Sequence, residues 1–174
     1  MRQQVIYRKF AQLLMVLGIL LLGMQVVAQD EVATYTAPNG TYTFDYPSHW
    51  FIVGVEGKNV FLSNFELPNQ AGQVLMRMTI DTIAPIEDPM DAIDLVLTNS
   101  REPFEEFTPM TIGDHPAVYA EASDDELGRA IFSLVLLEDN IMASLSAITT
   151  DTGVTLDDFR PVFMLMIESV MYSP

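Results

Sequence analysis

Apolar and polar positions change period several times along this chain, and each change marks an element. Residues 10–28 carry no charge, residues 13–22 are a continuous apolar run, and Arg2, Arg8 and Lys9 precede it. Val26, Val27 and Ala28 then offer modest side chains ahead of Gln29. A basic start, an apolar stretch and a small-residue cut mark a secretory signal, so residues 1–28 are expected to direct export, with cleavage between Ala28 and Gln29. The same run is also long enough, at about 1.5 Å per helical residue, to stay in a bilayer as an uncleaved anchor. The basic residues before it place the remainder outside in either case.

Residues 29–40 are polar and end in the turn signal Pro38-Asn39-Gly40; they read as a lead-in or tether. A single domain is expected over 41–174. Residues 41–46 alternate, with Tyr42, Phe44 and Tyr46 on one face, until Pro47-Ser48 breaks the strand. A strand over 50–55, a hairpin-like connection at Glu56-Gly57-Lys58-Asn59 and a strand over 60–63 follow. Past a loop at 67–72, residues 73–82 set Val74, Met76, Met78 and Ile80 against Leu75, Arg77, Thr79 and Asp81. The spacing of Met90, Ile93, Val96 and Leu97 predicts a helix over 89–101, with Pro89 in its first turn and Asp91 and Asp94 near its N-terminus. Strands are expected over 107–112 and 117–122, separated by a turn at Gly113-Asp114-His115-Pro116. An acidic connection, Ser123 to Glu126, leads to a hairpin of 129–138 and 141–149 around Asp139-Asn140.

The C-terminal segment carries the strongest helical pattern. Thr155 stands three residues before Asp158, a capping-box arrangement. Phe159, Val162, Phe163, Met166, Ile167 and Val170 recur at helical spacing and must lie on the sheet. Met164, Met166 and Met171 read as core filler. Four strands, a helix, four strands and a helix predict an α+β fold: a largely antiparallel β-sheet covered by helices, which explains strands apolar on both faces.

Thr43-Phe44-Asp45-Tyr46-Pro47-Ser48-His49-Trp50 resembles the opening signature of PsbP-like, Mog1-type domains. An aromatic strand there runs into Tyr-Pro, two short residues and Trp. Ile112-Gly113-Asp114-His115-Pro116-Ala117 is similar to the family's glycine-containing turn, and the order of elements agrees over about 41–172. Tyr46, Pro47, Trp50, Gly113 and His115 carry the resemblance. It implies an α/β/α sandwich around an antiparallel sheet and a non-catalytic binding or assembly role. No metal-binding or partner-binding motif of the family carries over.

Charge narrows the partners. Three of the eight basic residues precede the cut and every acid follows it, leaving five bases against 24 acids, a net charge of −19 from Gln29 onward. Such a field repels a phosphate backbone, so no nucleic acid is expected as partner, and anionic membrane surfaces are disfavoured. Membrane contact is expected only through an uncleaved N-terminal segment. There is no cysteine, which removes disulfides, lipid attachment at the cut and thiolate chemistry.

Candidate chemistry is sparse. His49 and His115 stand alone in turns, without spaced metal ligands around them. No nucleophile elbow, Ser-x-x-Lys or phosphate loop occurs. The acid clusters Glu87-Asp88 with Asp91 and Asp94, Asp124-Asp125-Glu126, and Asp151 with Asp157-Asp158 could offer oxygens to calcium, but none has the Asp-x-Asp-x-Asp-Gly loop. Helix N-terminal charge for Asp91, Asp94, Asp157 and Asp158, and a solvated turn for Asp124 to Glu126, account for them better. Trp50 reads as a core anchor. No cofactor is expected. The expected function is a non-catalytic, exported module that binds an unknown protein partner in the cell envelope. A divalent-cation or small-ligand binder is the alternative, and a hydrolase built on a histidine, a serine and a carboxylate a more distant one.

Overall fold

A computed structural model describes residues 31–65, 73–83, 85, 88–92, 104, 106–124, 128–138 and 140–173. These residues form ten strands in two antiparallel sheets. The smaller sheet joins β1 (Val32–Thr36), β2 (Tyr42–Pro47) and β10 (Met171–Tyr172) in the order β1-β2-β10. The larger has seven strands, β3 (Phe51–Glu56), β4 (Asn59–Ser63), β5 (Leu75–Thr82), β6 (Thr108–Ile112), β7 (His115–Asp124), β8 (Gly128–Glu138) and β9 (Ile141–Thr149), in the order β3-β4-β5-β9-β8-β7-β6. One α-helix, α1 (Leu156–Glu168), lies between β9 and β10 in sequence.

Alternation decides which way each strand faces. Val74, Met76, Met78 and Ile80 are buried as the pattern requires, together with Ile141, Ala143, Leu145 and Ala147 of β9. On that face of the large sheet α1 and the aromatic side of the small sheet pack into one core. Phe159, Phe163, Met166 and Ile167 come from α1, and Tyr35, Tyr42 and Phe44 from β1 and β2. Trp50 is buried in the same core. The other face has its own cluster of Val118, Phe132, Leu134, Leu136 and Met142, on which Ile83, Phe104 and Phe107 pack. Phe104 and Phe107 both meet the Phe132 ring, at 5.8 and 6.1 Å between centroids. Burial on both faces is why β8 is apolar along nearly its whole length.

The structure corrects several expectations. The lead-in over 29–40 contains a strand: Val32–Thr36 pairs with β2, and Tyr35 stacks on Phe44 at 5.0 Å. Its β-branched residues alternate around the buried Tyr35, which is the reason it pairs. Met171 is not core filler but 66% exposed on β10, which hydrogen-bonds to β2. His115 opens β7 opposite Ile112, so the turn is only Gly113-Asp114, with Gly113 at φ 59°. The helix-covered α/β/α sandwich is matched only in part, because a three-stranded sheet shares one face of the large sheet with α1. Of the helix expected over 89–101, Pro89–Ala92 is a 3-10 turn, and 93–101 lie outside the described residues.

Candidate functional site

The least protected feature of the described surface is the outer edge of β3. This strand is hydrogen-bonded to β4 on one side and ends the seven-stranded sheet on the other. Phe51, Ile52 and Val55 are 41, 38 and 47% exposed. The register shows how they are arranged. Phe51 lies opposite Ser63, Ser63 opposite Leu75, and Leu75 opposite Ile148. Cross-strand partners point to the same face, so exposed Phe51, Leu75 and Ile148 form one row across β3, β5 and β9, with buried Ser63 inside it. Ile52 and Val55 pair with Leu62 and Val60 and face the core side. A shift of register between Ile52 and Gly54 marks a bulge. Apolar groups are thus open on both faces at one edge.

Two of the other outer strands, β6 and β10, are interrupted or short. β6 carries Pro109, which has no N–H to offer. In the small sheet, β10 is two residues long; β1 is also an outer strand, with Val32 52% exposed, and its Thr34 hydroxyl donates inward to Asp45 of β2 at 2.6 Å. β3 has neither proline nor lysine.

A second feature is a cleft of about 350 Å³ where the turn after β1 meets the β3–β4 hairpin and the end of β5. Tyr35, Tyr42, Tyr172, Asn39, Lys58 and Asp81 are among its lining residues. Lys58 bonds Asp81 at 2.8 Å, so the two charges cancel. Burial first, and then the neighbouring Tyr35 phenol, push the Tyr42 hydroxyl up to about 12, which keeps it a proton donor. The Asn39 carboxamide oxygen accepts from the Thr41 N–H and hydroxyl at 3.2 and 2.9 Å, shaping the turn.

A third cluster joins α1 to β7. Arg160 grips Glu121 in a two-pronged pair, Nε to Oε1 at 2.5 Å and Nη2 to Oε2 at 2.9 Å, and also bonds Asp157. The Tyr119 hydroxyl donates to Glu121. Arg160 holds the Glu121 carboxyl below its ordinary range, and burial raises the Tyr119 phenol to about 12. With its charges paired, this cluster is a clamp on the helix.

The expected site residues are dispersed. His49 is exposed in the turn entering β3, while His115 is in β7. From β3 to β7 is five strand steps, roughly 24 Å at ~4.8 Å each, so the two are not brought together. Tyr46 packs at the rim of the core, and the Trp50 N–H donates to the Pro47 carbonyl at 2.9 Å. Asp158 accepts from the Thr155 N–H and hydroxyl at 2.7 and 2.8 Å, closing the expected cap. Asp157 is held by Arg160, and Asp151 accepts from the Gly153 N–H at 2.8 Å. Asp124 ends β7; Asp125, Glu126, Ala28 and Gln29 lie outside the described residues, as do Glu87 and Asp94. Among the described residues, no three of His, Asp and Glu gather as metal ligands. No helix among them is long and apolar enough to cross a membrane, and residues 10–28 are not part of that statement.

Sequence reasoning missed β3 as a site. Its residues Phe51-Ile52-Val53 form a short apolar run rather than an alternating one, which reads as a strand buried on both faces.

No family model matches the chain, and no curated protein does. Solved structures do. The solution structure of cyanobacterial PsbP (CyanoP) from Synechocystis sp. PCC 6803 is similar over 87% of this chain and 98% of that one, with a TM-score of 0.55 and 13% identity. The fold is PsbP-like. A crystal structure from Bacteroides thetaiotaomicron is similar over 81% of this chain, with a TM-score of 0.55 and 15% identity. The match spans about half the length of that protein. At these identities the PsbP-like likeness concerns fold alone.

Proposed function

We propose that this chain is a non-catalytic, extracytoplasmic module that docks a protein partner in the cell envelope, using the PsbP-like fold as a scaffold. The carrying observation is the apolar outer edge of β3, with Phe51, Ile52 and Val55 exposed beside Leu75 and Ile148. An open edge with apolar side chains on both faces invites association. The basic start and apolar run of residues 1–28 support export, and the dispersal of His49 and His115 gives no support to a hydrolase.

The test is crosslinking in the native cell with the full chain and with a Phe51→Lys, Val55→Lys double variant. Both positions are exposed, so stability should change by less than about 1 kcal/mol for the pair. A protein recovered with the wild-type chain and lost with the variant is expected. A chain recovered uncrosslinked in both forms would overturn the reading.

The tyrosine-lined cleft favours a second reading, a small-ligand binder. A ligand present at about 100 times its dissociation constant would add roughly 2.7 kcal/mol to stability. Titration of candidate ligands against the thermal midpoint reads that directly, and Tyr172→Ala should abolish it.

A further inference from the structure

We infer that the partner binds by adding a strand to the outer edge of β3, and that the added segment is an extended, basic stretch of another protein rather than a second copy of this chain. The inference rests on the docking reading above and specifies its geometry and chemistry.

The geometry follows from register. β3 offers its outer backbone groups along Phe51–Glu56, and strand addition supplies main-chain partners for such an edge. Side chains of the added strand alternate between two apolar neighbourhoods. One is the Phe51 end of the row that continues through Leu75 and Ile148; the other is set by Ile52 and Val55. A segment of five or so residues that is apolar on both faces satisfies both. The bulge between Ile52 and Gly54 strengthens the local twist, so the segment must be short.

The chemistry follows from charge. The chain from Gln29 onward carries −19, and β3 ends in exposed Glu56. Lysine or arginine flanking the apolar core of the segment would meet this field favourably and speed encounter. A second copy brings the same −19. Antiparallel self-pairing about the centre of β3 would also set Glu56 against Phe51 at both ends, with no opposite charge to meet it.

The test places a photo-reactive phenylalanine analogue at Phe51 of the full chain in its native cell, with the same analogue at Met110 on β6 as the control edge. The adducts are digested and the attached peptide is sequenced. The expected result is an adduct at Phe51, absent or at least tenfold weaker at Met110, to a short segment of another protein that is apolar on both faces and flanked by lysine or arginine. Salt should weaken capture several-fold, because the attraction is electrostatic. An adduct to this chain's own β3, to an acidic segment, or equally from both edges would overturn the inference. No photo-adduct at Phe51, while the lysine variant still loses its partner, would also overturn strand addition and leave the docking reading standing.

Discussion

A β-carbon at Gly128 would lie 2.1 Å from the Thr149 carbonyl oxygen, and the residue sits at φ 91°. Neither backbone nor neighbour can absorb that, since β8 and β9 are hydrogen-bonded there through Arg129 and Thr149. Gly128→Ala is therefore expected to cost about 2–3 kcal/mol. Gly113→Ala, at φ 59° with nothing within 4 Å, should cost about 1 kcal/mol from conformation alone. Urea unfolding with an unchanged slope reads both. Two phenols add a pH signature. Tyr42 and Tyr119 are raised to about 12, in each case by burial first. The folded state then holds these protons more tightly than the unfolded chain, whose tyrosines titrate near 10. Stability from this source is complete below about pH 10 and falls as pH rises toward 12. Stability unchanged across that window would contradict the assigned burial.

At the scale of elements, α1 holds the two sheets together. Phe163 is fully buried among groups from the sheets, so Phe163→Ala should cost about 3–5 kcal/mol in the same unfolding experiment. The Arg160–Glu121 pair is partly exposed, and Arg160→Ala should cost only about 0.5–1 kcal/mol. Because Arg160 lowers the Glu121 carboxyl, its stabilisation is present above the ordinary carboxylate range and lost as pH falls through the depressed value. The helix was legible in the sequence because its period, its Thr155–Asp158 cap and its buried stripe all agree. β2 and β5 were legible by their alternation, and β8 and β9 as two largely apolar runs on either side of Asp139-Asn140. β10 was not, since two residues carry no period and only pairing with Tyr42 and Thr43 defines them. The candidate site was the least legible part. Nothing local in Phe51–Glu56 says that β3 ends its sheet; edge position is a property of pairing order, which only the assembled fold supplies.

At the scale of the whole molecule, one sheet is covered by α1 and the small sheet on one face and by a phenylalanine cluster on the other, and among the described residues nothing pairs with the outer edge of β3. A net charge far from zero opposes self-association of such an edge, and the chain from Gln29 onward carries −19. In the proposed reading, the same charge would oppose self-pairing and favour a basic partner. The most direct test is amide hydrogen exchange on the purified chain, resolved by residue. The account expects the outward-facing amides of Phe51–Glu56 to exchange at least a hundredfold faster than those at the centres of β8 and β9. Protection of β3 equal to that of β8 and β9 in the isolated chain would mean that the edge is already closed, and would contradict the account.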